Sequence, residues 1–167
     1  PPVMSIVQDI ITTYRKPQQV FATLLDGVVS ESRSLAILMG GCFGTFVSSW
    51  PALARQAHLE TKDVTDLMGG ALLAWVFIMP LVFYVLAMML WGIQRVLMGR
   101  ARMDQVRIVL FWSFFASLPF MFLHGLVRGF IGEGAAQNIV GFIWFAIIVW
   151  FVTSGFKAIS KLGKSHD

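Results

Sequence analysis

The chain has 167 residues, 57% of them hydrophobic and only 13% charged, with a mean hydropathy of +0.74. Soluble domains carry about 25% charged residues, and a core of this size cannot hide so much apolar surface, so a water-soluble globule is excluded. The net charge of +4 comes from basic residues flanking apolar stretches, which points to lipid headgroups and membrane orientation and away from nucleic acid.

The opening PPVMSIVQDIITTYRKP lacks the basic residue, short apolar run and small-residue site of a secretory signal and is not expected to be one. At 100° per residue it is amphipathic: Val3, Met4, Ile6, Val7, Ile10, Ile11 and Tyr14 share one side, and Ser5, Gln8, Asp9, Thr12, Thr13, Arg15 and Lys16 the other. Pro17 ends this helix or starts the next, in which Val20, Phe21, Leu24, Leu25 and Val28 face one way. Residues 1–33 therefore read as an amphipathic cytoplasmic or interfacial arm of one or two in-plane helices, resting either on lipid or on the protein's own bundle.

Four runs free of Asp, Glu, Lys and Arg follow, with predicted spans at about 34–54, 68–91, 108–127 and 138–156 within a domain covering 34–157. About 20 residues of helix cross the roughly 30 Å hydrocarbon core, and continuous apolar runs favour helices over barrel strands. Span one carries GGCFG, in which Gly40, Gly44 and then Ser48 form a small-residue ridge. Gly69 and Gly70 open span two with another. Both are candidate helix-packing or partner contacts, with packing inside the bundle favoured. The lone cysteine, Cys42, lies in the first ridge, which excludes an intrachain disulfide. Pro80 and Pro119 predict kinks in spans two and three, each freeing a carbonyl that needs a neighbouring group. Between these spans the basic loop GIQRVLMGRARMDQVR offers Arg95, Arg100, Arg102 and Arg107 as candidate lipid-headgroup contacts. The glycine-rich GFIGEGAAQN predicts a hairpin of spans three and four. Residues 158–167 form a basic tail.

Ten basic residues fall on one side of a four-span arrangement: Arg15, Lys16, Arg33, Arg95, Arg100, Arg102, Arg107, Lys157, Lys161 and Lys164. Only Arg55, Lys62 and Arg128 fall on the other, diluted by Glu60, Asp63, Asp66 and Glu133. Both termini are therefore expected in the cytoplasm. Trp50, Trp91, Trp112 and Trp150 lie near span ends, where an indole N–H can sit among headgroups.

Little in the chain nominates chemistry. The spans hold no charged side chain, which argues against an ion-coupled transporter. His124 and Arg128, a turn apart near the outer end of span three, are a candidate polar outer-face contact, with interhelical bonding and interface anchoring as their ordinary roles. Cys42, His58, His124 and His166 are scattered, without CxxC, HExxH or a carboxylate cluster, so no metal or other cofactor is expected. Ser113 and Ser117 share a face but have neither a GxSxG element nor a base.

The segments YRKPQQVFATLL, the glycine-rich first span, the proline-bearing second span, GRARMDQVR and FFASLPFMF give a chain that resembles the Yip1 family of small polytopic membrane proteins, in its short bacterial form. Eukaryotic relatives are associated with Rab GTPases, and many carry a DLYGP element before the membrane region. Here Asp66-Leu67-Met68-Gly69-Gly70 stands before span two without the Tyr and Pro, so that role does not carry over. Family members commonly have five spans, and this pattern gives four. The expected fold is an all-α integral membrane protein of four transmembrane helices preceded by one or two in-plane helices. The expected function is a non-enzymatic structural or accessory protein that binds other membrane subunits, another copy of itself, or lipid. An oligomeric channel, lined by the kinked helices with Thr45, Ser48, Tyr84 and Ser113, is the alternative.

Overall fold

The computed structural model describes residues 3–97, 99 and 101–165, and no strand occurs among them. The arm is α1 (Val3–Arg15) and α2 (Pro17–Leu25). It is followed by α3 (Glu31–Ser48), α4 (Trp50–Glu60), α5 (Val64–Leu72), a π-helical segment (Leu73–Ile78), α6 (Met79–Leu97), α7 (Met103–Ala116), α8 (Leu118–Phe130) and α9 (Ala135–Lys164). Three continuous helices are long and apolar enough to cross a membrane: Glu31–Glu60, Val64–Leu97 and Ala135–Lys164. The pair α7 and α8, bent by 44°, makes a fourth if it crosses as one span. The 30 residues of Glu31–Glu60 reach roughly 45 Å, so this helix runs well past the expected 34–54 boundaries.

Glycine contacts set the arrangement. A Cβ on Gly41 would meet the Phe114 ring at 2.7 Å and one on Gly44 would meet Leu118 at 2.8 Å, so α3 lies along α7 and runs parallel to it. Farther on, Gly125 lies on the Ser48 backbone and Gly129 on Pro51, which sets α4 beside α8 in the same sense. The continuous α3–α4 helix and the bent α7–α8 pair therefore run side by side, joined through glycines that let the backbones approach. A serine marks both junctions, although only α7–α8 is bent, by 44°. Ser49 (φ −80, ψ −12) and Ser117 (φ −81, ψ −5) stand at the joints, each two residues before a proline. Each hydroxyl donates to the carbonyl three residues back, Phe46 or Phe114, at 2.6 Å. Pro51 and Pro119 supply no N–H and crowd the preceding turn, and the serine bond satisfies a carbonyl there. Ser-x-Pro occurs at both junctions, Ser49-Trp50-Pro51 and Ser117-Leu118-Pro119, though only Pro119 lies at mid-span.

Pro80 is accommodated differently. Instead of a joint, the helix widens through Leu73–Ile78, with the Met79 N–H reaching the Ala74 carbonyl five residues back. This wider turn lies just N-terminal to the ring, where an α-helical turn would clash. Two apolar clusters then bind the bundle. One joins Val20, Phe21, Leu24 and Leu25 of α2 to Val109 and Trp112 of α7 and to Phe151 and Ile159 of α9. The other joins Leu38 and Cys42 of α3 to Phe83 of α6, Phe111 of α7 and Val152 of α9.

Candidate functional site

The arm docks on the bundle, and the end of α1 meets the bend of α7 and α8. There the Phe120 N–H turns to the Ser117 carbonyl at 3.1 Å, away from its α-helical partner on Ala116. The Tyr14 hydroxyl donates to that Ala116 carbonyl at 2.6 Å. The arm thus supplies a donor to a carbonyl left open by the bend itself, one residue beyond the Phe115 carbonyl that the missing Pro119 N–H would have met. The Tyr14 ring packs edge-on against Phe151, with centroids 5.0 Å apart, and burial pushes its phenol pKa up to about 12. Thr13, expected on the polar face, is fully buried. Its hydroxyl donates to the Asp9 carbonyl at 2.7 Å and accepts from the Trp112 indole at 3.0 Å. Trp112, expected among headgroups, is therefore an internal residue, 4% exposed, because the arm brings its N–H a partner. Trp144 donates to the Ser117 hydroxyl on the far side of the bend at 3.0 Å. The arm's apolar face is divided: Ile10 and Tyr14 pack inward, while Val7 and Ile11 are half exposed. It thus has one side for the bundle and one for the surroundings.

At the end of the bundle where α3 and α7 begin, Arg107 pairs with Glu31 at 2.8 Å, and Glu31 also accepts from the Tyr84 hydroxyl at 2.8 Å. The Arg107 guanidinium lies 5.9 Å from the Tyr84 ring centre. This knot ties α3, α6 and α7 together, so Arg107 serves the fold before any headgroup. Of the other expected headgroup contacts, Arg95 is exposed over the Trp91 ring at 5.5 Å. Arg102 is exposed and paired with Asp104 at 3.0 Å, and Arg100 lies outside the described residues. Ile93, Val96 and Leu97 around them are exposed, as expected for an interfacial segment.

At the opposite end His124 and Arg128, a turn apart on α8, border different recesses. His124 borders a shallow recess with Gln137, Asn138 and Gly141. Arg128 borders a separate cleft of about 520 Å³ with Arg55, Gln56, Glu60 and Glu133. The residue missed by sequence reasoning here is Arg55, whose guanidinium donates to the carbonyls of Gly129 and Phe130 at 3.3 and 3.4 Å. It caps the C-terminal end of α8, where partial negative charge collects. No three metal-binding side chains come together among the described residues. The polar residues considered for a pore are engaged within the chain: Thr45, Ser48 and Ser113 donate to carbonyls of their own helices, and Tyr84 donates to Glu31.

The small-residue ridges divide sharply. Gly40, Gly44 and Ser48 face α7 and α8 and are used up inside the chain; with their close neighbours filled by Phe115, Leu118 and Gly125, they offer nothing to a partner. Gly69 and Gly70 have nothing within 4 Å of an added Cβ. Neither α5 nor the π-helical segment contains a buried residue. Leu73, Phe77 and Leu81 continue this face at four-residue spacing and are 56%, 63% and 69% exposed. The chain matches no protein-family model, no curated protein and no solved structure.

Proposed function

We propose that this chain is a non-enzymatic accessory protein of a bacterial inner membrane, of the short bacterial Yip1 type, that associates laterally with other membrane helices through its second span. In this reading the chain crosses four times, with α7 and α8 as one bent span, the arm folded against the bundle and both termini in the cytoplasm. The ten-to-three distribution of basic residues supports that orientation.

The observation that carries the reading is the open face of Gly69, Gly70, Leu73 and Phe77. Among the other helical glycines, Gly40, Gly41, Gly44, Gly125, Gly129, Gly141 and Gly155 each lie against a specific neighbour, and Gly92, on the same second span, is open as well. Packing is what usually offsets the weak helix propensity of small residues. Gly69 and Gly70 have no such neighbour within the chain, and an adjacent helix from a membrane subunit or a second copy would supply one. The test is photo-crosslinking in native membranes from a probe at position 70 or 73, with position 40 as the inward-facing control. Discrete adducts from 70 and 73 alone, lost on Gly70→Trp, support lateral association. Adducts from none of these positions, together with migration of the purified chain as a monomer in mild detergent, refute it.

A further inference from the structure

We infer that the cleft between the arm and α9 is a binding site for phosphate, presented as the headgroup of an anionic phospholipid. The cleft, about 440 Å³, has Lys16 and Gln19 on its arm wall and Trp150, Thr153, Ser154 and Lys157 on its α9 wall. Lys16 and Lys157 are both exposed, and neither takes part in an ion pair among the described residues. Lys161 stands one turn beyond Lys157 and is held beside the cleft by the Gln18 side chain, which accepts from its ammonium at 2.7 Å.

Among the described residues no carboxylate pairs with this charge. Neither α2 nor α9 contains an acidic residue. Of the acids in α1 and at the end of α2, neither lines the cleft: Asp9 is exposed on α1 and absent from the cleft walls, and Asp26 borders a different recess, beside Arg102. Docking α2 on α9 therefore brings the like charges of Lys16 and Lys157 to the walls of one cleft, where a bound anion would be favoured. Several basic side chains elsewhere in the fold are matched within the chain: Lys62, Arg102 and Arg107 each have a carboxylate, and Arg55 has carbonyls. Two ammonium groups can donate several charge-assisted hydrogen bonds to phosphate oxygens. Pro17 also borders the cleft, and with the indole of Trp150, 43% exposed, it gives an apolar flank beside the cations. That pairing of ammonium and aromatic groups suits the glycerol and upper acyl chain of a lipid better than a fully hydrated ion.

The test is native mass spectrometry of the full chain in mild detergent, offered equal dioleoyl phosphatidylglycerol and dioleoyl phosphatidylcholine. One phosphatidylglycerol should be retained in roughly tenfold preference, the scale set by a charge-assisted contact. Lys16→Gln with Lys157→Gln should abolish the preference, and the Arg pair at the same positions should keep it. Lys62→Gln with Lys164→Gln removes as many charges away from the cleft and should change nothing. Size-exclusion profile and helix content establish that each variant is folded. Excess inorganic phosphate distinguishes the source. If it fails to displace phosphatidylglycerol, the site takes a lipid; if it binds in a Lys16- and Lys157-dependent way with no preference between the lipids, the site takes free phosphate. Equal retention of the two lipids with no lysine-dependent phosphate binding overturns the proposal, as does full preference in the double Gln variant.

Discussion

Replacing Tyr14 with Phe removes one oxygen from the arm and isolates the bond that holds the arm to the bend. The ring keeps its contacts with Phe151 and Phe120, so the loss is confined to the 2.6 Å bond to the Ala116 carbonyl. Polar contacts between helices in membranes average about 0.6 kcal/mol and reach about 1.7. Orphaning a buried acceptor costs about 1–3 kcal/mol. The Ala116 carbonyl has already lost its helical donor to the Ser117 joint, so we expect about 1 kcal/mol, or a roughly fivefold fall in the ratio of docked to undocked arm. Hydrogen exchange of the reconstituted protein reads this directly: amides of α1 should lose protection by about that factor, while the α3 and α7 amides buried around Gly41 and Phe114 keep theirs. Wild-type protection of α1 in the variant would refute the reasoning, because the ring alone would then account for docking. Tyr14→Ala should do more, since it also removes the aromatic contacts that anchor the arm.

Two further perturbations test the packing and the burial of the same residue. Gly125→Ala places a Cβ on the Ser48 carbonyl oxygen, where backbone must move, so thermal melting in detergent should show a loss of about 2–3 kcal/mol or more. Gly69→Ala meets open space and should leave the monomer unchanged or stabilise it by up to about 1 kcal/mol; equal losses in the two variants would contradict the inward and outward assignment of these faces. The chain has two tyrosines, so in Tyr84→Phe protein the remaining phenol is Tyr14, and its ultraviolet absorbance should titrate near pH 12 instead of 10. Because docking raises this pKa, its contribution to arm stability is fully present below pH 10 and is lost as pH rises through the window from 10 to about 12. A midpoint at the ordinary value would mean that the phenol is solvated.

Much of the architecture is legible along the chain. Long uncharged runs force helices, since backbone polar groups in lipid must be satisfied within the segment, and the four predicted spans fall within the long apolar helices and the bent pair. The Pro119 bend follows from the missing N–H of one residue. The second joint was readable too: FVSSWP and FFASLP place Ser-x-Pro at matching points, but Pro51 lies close to the expected end of its span and draws less notice than a mid-span proline. The GLVRG segment likewise contains a small-residue pair, Gly125 and Gly129, that makes a closer backbone approach than the more conspicuous GGCFG.

The remaining features depend on which residues far apart in the chain become neighbours. Periodicity gave the arm one apolar and one polar face, but it could not divide the apolar face between bundle and surroundings, nor bury Thr13. That burial depends on Trp112, 99 positions away. In the same way Arg107 reads as a headgroup anchor until Glu31 and Tyr84 are placed beside it, and Gly40 and Gly70 are equivalent until one meets Phe115 and the other meets nothing. The sequence by itself determined that the chain is helical and apolar enough to cross a membrane several times, because composition, run length and proline stereochemistry are local properties. Only the tertiary structure decided which polar groups answer one another and which glycine face stays open, because satisfaction of a buried donor or a close helix approach is a property of a pair.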